Sequence, residues 1–185
     1  MGKQIMNGVL DRIESEIEKV LTQIGDRWED LPDPDSDAEW TKAIKNAIGQ
    51  IGKDQGYEIY AAESNFSDNG EWLYDMTWLK MSGARVLGVP LVLECEWTPS
   101  GTIEDFQKLL VARAERRVMV HWAPDEQAAR RTIRDLVAQV EEFELSQPGD
   151  RYLFACYLGD SDRFLFERHS ARRQAHRIGR GVGSL

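Results

Sequence analysis

The chain is short of the residues on which many sites are built. Only two cysteines and three histidines occur in 185 residues. Cys95 and Cys156 both lie inside apolar, strand-like runs, so they read as reduced core thiols of a cytoplasmic protein rather than as a disulfide framework. His121, His169 and His176 are scattered, with no cysteine at ligand spacing, which leaves no zinc motif. His121 sits in a short apolar run and reads as a core histidine with its nitrogens satisfied. No apolar run approaches the roughly 18 residues that a membrane helix needs, so no membrane partner is expected. The opening MGKQIMNGVLDRIESEIEKV is too interrupted by charge for a signal peptide. Basic charge is also in deficit, 23 residues against 32 acidic, for a net −9 and a pI near 4.9. That argues against wholesale adhesion to polyanions but leaves room for a local basic patch. There is no Gly-x-Ser-x-Gly elbow. The glycines of GRGVG and IGKDQG lack the flanking elements of a phosphate loop.

What is present is an ordinary globular composition, 42% hydrophobic and 30% charged. Within residues 4–29, Ile5, Val9, Ile13, Ile17, Val20, Ile24 and Trp28 recur at steps of three and four, predicting an amphipathic helix. Its apolar face either packs on its own domain or makes a coiled-coil-like contact with a second copy or a partner subunit. The acidic, proline-bearing EDLPDPDSDAE ends it. A second helix runs from Trp40 to Gly52.

Strands follow at 57–64, 71–81 and 86–97, the first two joined by a hairpin at Asn69-Gly70. Thr102, three residues before Asp105, is placed to cap the helix IEDFQKLLVARAE. RRVMVHWA (116–123) is a nearly continuous apolar strand. A long helix from Asp125 and two strands, RYLFACYL and RFLFERHS, complete the pattern. This order predicts a mixed α/β (α+β) fold, a central mixed sheet flanked by helices. Its divisions are an N-terminal helix at 1–30, an α/β domain at 39–170 and a basic flexible tail at 171–185.

The stretch LVLECEW (91–97) carries two carboxylates inside a strand. Side chains alternate across a strand, so Glu94 and Glu96 share one face while Leu93, Cys95 and Trp97 share the other. Asp75 interrupts the preceding aromatic strand in the same way. If the two strands pair, Asp75 joins Glu94 and Glu96, and three convergent carboxylates favour a hard divalent cation, Mg²⁺ or Mn²⁺, over mutual repulsion. Taken singly, Asp75 could be an edge-strand residue and Glu94 could pair with Lys80 or Arg85.

Asp75, the Glu94-x-Glu96 triplet, and a following helix and apolar strand resemble the PD-(D/E)xK nuclease superfamily, over about residues 40–123. The resemblance implies a restriction-endonuclease-like core of helix, three strands, helix and strand. It also implies Mg²⁺-dependent hydrolysis of a phosphodiester, with DNA as the expected nucleic-acid partner. It makes Asp75 and Glu94 metal ligands. The third position, ordinarily a lysine that activates water, is Glu96, which would bind a second metal or position water. Tyr74 stands where the leading proline of the motif would be. Gln107 or Lys108 in the next helix could reach the phosphate in place of the missing lysine, only one of the two adjacent residues facing the site. Glu39 and Glu63 are further candidate acids.

The alternative is a nuclease-like fold without activity, serving as a protein-interaction or regulatory module. At the C-terminus, Arg163, Arg168, Arg172, Arg173, Arg177 and Arg180, with His169 and His176, face Glu167 alone. They form either a phosphate-binding arm or a solvated terminus.

Overall fold

The computed structural model describes residues 4–172. Its elements are helix α1 (Gln4–Gly25), helix α2 (Asp37–Asp54), strands β1 (Glu58–Tyr60), β2 (Met76–Ser82) and β3 (Arg85–Glu96), helix α3 (Thr102–Val111), strand β4 (Arg116–Ala123), helix α4 (Glu126–Glu142), and strands β5 (Arg151–Leu158) and β6 (Arg163–Ser170). One six-stranded mixed sheet runs in sequence order from β1 to β6. β1, β2 and β3 form an antiparallel meander, β4 and β5 lie parallel to β3, and β6 returns antiparallel.

This topology follows from the connections. A parallel pair needs a crossover, and crossovers are right-handed. Two successive ones stepping in the same direction across the sheet, through α3 and then α4, put both helices on one face. The amphipathic α1 and α2 cover the other. Alternate strand residues therefore divide into two buried layers. Leu91, Leu93, Cys95, Val118 and Val120 pack with Ile13, Ile17, Leu21, Ile44 and Ile48. Val92, Met119, Tyr152 and Phe154 pack with Phe106, Leu109, Ile133 and Leu136. Burial on both sides explains why RRVMVHWA and RYLFACYL lack polar alternation. α2 lies close to the sheet because Gly52 has no side chain; a Cβ there would come within 2.6 Å of the Trp78 ring.

α1 is part of this body. Ile13, Ile17 and Leu21 are buried in the shared core, so its apolar face is covered within the chain from residue 13 onward. Glu14, 1% exposed, takes two bonds from Arg151, at 2.9 and 2.5 Å. No helix among the described residues is long and apolar enough to cross a membrane, and both cysteines are free and buried.

Several sequence expectations are corrected. β1 is only three residues long, and the segment to β2 is a loop with a 3-10 turn at Ser67–Asn69, not a tight hairpin. Asn69 is drawn away from a hairpin turn because its amide donates to the Ile59 carbonyl at 2.9 Å. Thr102 does not cap α3: the cap position is Gly101, and the Thr102 hydroxyl donates back to the Thr98 carbonyl. His121 is fully buried as expected, yet neither ring nitrogen has a partner. Burial lowers its pKa to about 4, so it is neutral. The basic C-terminal segment is no free arm up to Arg172. Arg163 pairs with Glu126, Arg168 with Glu18, and His169 with Glu141, all in β6. Residues 173–185, including Arg173, His176, Arg177 and Arg180, lie outside the described residues.

Candidate active site

The β2–β3 register pairs Met76 with Leu93 and Thr77 with Val92, so Asp75, just before β2, stands across from Glu94. A turn delivers it there. Leu73 takes φ 67°, a left-handed conformation that costs a branched residue energy, and the Trp72 carbonyl accepts the Thr77 hydroxyl at 2.9 Å. Because β2 begins only at Met76, Asp75 Oδ2 serves as the acceptor for the Cys95 N–H, at 2.8 Å. Side-chain alternation in β3 is as expected. Leu93, Cys95 and Trp97 face the α1/α2 layer, while Val92 lies in the α3/α4 layer, the face that Glu94 shares.

Glu94 is 1% exposed. Its Oε1 lies 3.3 Å from Lys108 Nζ, within ion-pair range but without hydrogen-bond alignment, and that oxygen has no hydrogen-bond partner. Lys108 reaches over from α3 and binds Asp105 more closely, at 2.7 Å. Burial, then the charge of Asp75, push the Glu94 carboxyl up from 4.5 to about 8, against the pull of Lys108. Asp75 is also raised, first by burial; the Cys95 N–H and Lys45 oppose this, and Glu71 and Asp105 add to it. Burial works against the Lys108 charge, but its bond to Asp105 and the Glu94 charge outweigh that and raise its pKa above the ordinary lysine value. The Cys95 thiol is held well above its usual range by burial and by both carboxylates, so it is inert.

Of the residues singled out in the sequence, the structure brings together Asp75, Glu94 and Lys108. Glu96 departs. The chain leaves the strand there, and Glu96 Oε1 accepts from both the N–H and the hydroxyl of Thr98, each at 2.6 Å. Burial raises its pKa, but the Thr98 bonds, with a contact to the Asp105 side chain and the Trp97 N–H, outweigh that and lower it. Glu96 thus brackets the 97–101 loop, aided by Gly101, where a Cβ would run into Glu96 Oε2. The expected convergence of three carboxylates is accordingly absent: no group of three His, Cys, Asp or Glu among the described residues is placed to hold a metal ion. Gln107 points elsewhere, into the groove with Leu110, Gln139 and Phe143, because adjacent helix residues diverge by about 100°. Glu39 pairs with Lys42 in the first turns of α2, and Glu63 is exposed in the loop beyond β1.

Comparison with known proteins gives no match: no family model, no curated protein and no solved structure matches the chain. The site therefore rests on its own residues. One of them escaped the sequence reading. Lys45 of α2 is 4% exposed, and its charge lowers the pKa of both Asp75 and Cys95. The available signal was its position four residues after Thr41, whose hydroxyl accepts from the Trp97 indole at 2.8 Å. That stripe of α2 faces the end of β3 and not solvent.

A buried carboxylate (Glu94), a part-buried one (Asp75) and two lysines then surround one end of β2 and β3. The fit to a divalent cation turns on Glu94. Its buried carboxyl has only the long, half-exposed Lys108 contact to offset burial, and its raised pKa is relieved if a cation joins Asp75 there. Mg²⁺ is commonly held by one or two carboxylates with water and substrate phosphate completing its shell, so the pair suits it without a third protein acid.

Proposed function

We propose that the chain is a metal-dependent phosphodiesterase acting on nucleic acid, a nuclease of the PD-(D/E)xK type with Mg²⁺ or Mn²⁺ as cofactor. The observation that carries this reading is the opposition of Asp75 and Glu94 at one end of β2 and β3, the first part-buried and the second buried with Lys108 as its only close cation among the described residues. The order α2, β1, β2, β3, α3, β4, with β4 parallel to β3, supports it, since the resemblance implies a core of helix, three strands, helix and strand.

Asp75 and Glu94 would hold the cation. When bound, it would supply Lewis-acid chemistry, neutralising phosphoryl charge and activating water. The chain's own groups do the remainder. The Cys95 N–H fixes one Asp75 oxygen, and the Lys45 charge favours the ionised form of Asp75. Lys108, half exposed between Glu94 and Asp105, can turn its ammonium toward a phosphate and stabilise the charge that develops in the transition state. Lys45 and Lys108 together supply the cations that the strand lacks at Glu96.

That no third acid among the described residues joins Asp75 and Glu94 favours a second reading, an inactive relic that serves as an interaction module. A cleavage assay separates them. Plasmid and labelled duplex and single-stranded oligonucleotides are incubated with Mg²⁺ or Mn²⁺. Cleavage that disappears in Asp75→Asn and in Glu94→Ala supports the enzyme. No cleavage of any substrate by the wild type supports the relic.

A further inference from the structure

β3 is much longer than its neighbours require. It pairs with β4 only over Val92–Glu96, and β2 pairs with β1 only over Thr77–Leu79. From Lys80 to Gly88 the β2–β3 hairpin has no strand among the described residues paired on either side and projects as a two-stranded ribbon, anchored at its base where the Val89 carbonyl accepts the Glu115 N–H at 2.9 Å. Two register shifts, between Trp78 and Lys80 and between Lys80 and Met81, each place an extra residue in β3. Bulges of this kind bend and twist a ribbon away from the sheet plane, and Pro90, without an N–H to donate, sits within the first.

The ribbon's composition is at odds with the rest of the chain. LKMSGARVLGV (79–89) contains no acid, in a protein of net charge −9. Lys80 and Arg85 are exposed and have no ion-pair partner among the described residues. Val86 and Leu87 are 46% and 60% exposed. At the ribbon's base, Gly88 and Val89 border a cavity of about 310 Å³ whose other charged lining is Arg113, exposed just past the end of α3, Glu115, and the Arg117–Asp150 ion pair.

We infer that this hairpin is a duplex-DNA-binding ribbon that enters the major groove beside the cleavage site; the inference rests on the nuclease reading above. A two-stranded antiparallel ribbon fits the major groove of B-form DNA, about 12 Å wide, where exposed aliphatic groups meet thymine methyls. The major groove of A-form RNA is too deep and narrow for it. Lys80 and Arg85 neutralise flanking phosphates, the contribution an acidic protein needs to hold a polyanion. Arg85 lies nine residues before Glu94 (94 − 85 = 9). The two bulges shorten and bend that span, so it is less than the roughly 30 Å of a straight strand, under one turn of duplex DNA.

The test measures binding without cleavage, in EDTA, by the full chain and by a K80E/R85E variant. The probes are a DNA duplex of about 24 base pairs, the RNA duplex of the same sequence and the DNA single strand. The wild type is expected to favour the DNA duplex over both. In the variant the slope of log K against log salt should become shallower by about 2, and affinity at low salt should fall at least tenfold, with RNA and single-strand binding unchanged. Equal affinity for DNA and RNA duplexes, or an unaltered DNA slope, overturns the inference. So does a dimer, seen by sedimentation, that K80E/R85E dissociates without loss of DNA binding. If the wild type binds DNA through the ribbon yet never cleaves it with metal, the nuclease reading alone fails. If it cleaves the duplex equally well with and without Lys80 and Arg85, the ribbon inference alone fails.

Discussion

Lys108 Nζ lies 3.3 Å from Glu94 Oε1 and 2.7 Å from Asp105 Oδ1, so a half-exposed ammonium is shared between a buried carboxylate and a more accessible one. Solvent screens such a pair, and its loss changes stability by about 0–1 kcal/mol. Charge stabilisation at a reacting phosphate is worth far more, about 10²–10³ in rate for a well-placed donor. Lys108→Met is therefore expected to cut kcat by about two orders of magnitude while Tm moves little, checked by cleavage kinetics beside thermal unfolding. A large loss of Tm with unchanged kcat would make Lys108 a purely structural residue.

Glu94 makes the fold sensitive to pH. Its ordinary value is 4.5 and its folded value about 8. Below the first, the group is protonated whether folded or not, and it imposes no penalty. As pH rises through the window, the unfolded chain ionises while the folded one retains its proton, so stability falls until about pH 8 and then levels. Glu94→Gln should flatten this decline and leave the variant more stable than the wild type at pH 8 by a few kcal/mol. Urea unfolding at pH 5 and pH 8 checks both.

Lys45 should act through Asp75. With its charge removed by Lys45→Met, the Asp75 carboxyl should titrate higher than in the wild type, because burial and the neighbouring acids then raise it with less opposition. Carboxyl NMR of the metal-free protein reads this. An unmoved Asp75 titration would exclude Lys45 from the site.

Glu96 is bound to the loop. Gly101→Ala should destabilise the chain by about 0.5–1.5 kcal/mol, the net worth of a hydrogen bond, since the new methyl pushes the flexible Glu96 carboxylate off Thr98. In an Glu96→Ala background the same change should cost much less. Additive losses in this double-mutant cycle would contradict the bracket.

These residues also show how far the sequence carries. The division of β3 into a Glu94 face and a Leu93–Cys95 face was legible because strand alternation is a local rule, and the helix–strand order of the sheet was legible from periodicity. Glu96 shares the Glu94 face by that rule, but the chain turns immediately after it, and Thr98 offers two nearer donors. The choice of Lys108 over Gln107 depends on the rotation of α3 against the sheet, which neighbouring residue types do not encode. Lys45 lay hidden because a lysine beside a core stripe ordinarily reaches solvent; only the packing of α2 over the end of β3 buries it. The Asn69-Gly70 signal lost to a tertiary bond from Asn69 to β1.

Asp75 and Glu94 as a cation site are tested most directly by calorimetric titration of Mg²⁺ at pH 7, in two buffers of different ionisation enthalpy. Since Glu94 holds its proton up to about pH 8 in the free protein, ligation must expel it. The expected result is binding with release of about one proton, lost in Asp75→Asn and without proton release in Glu94→Gln. No binding heat in the wild type, or the same binding and proton release in both variants, would contradict the site.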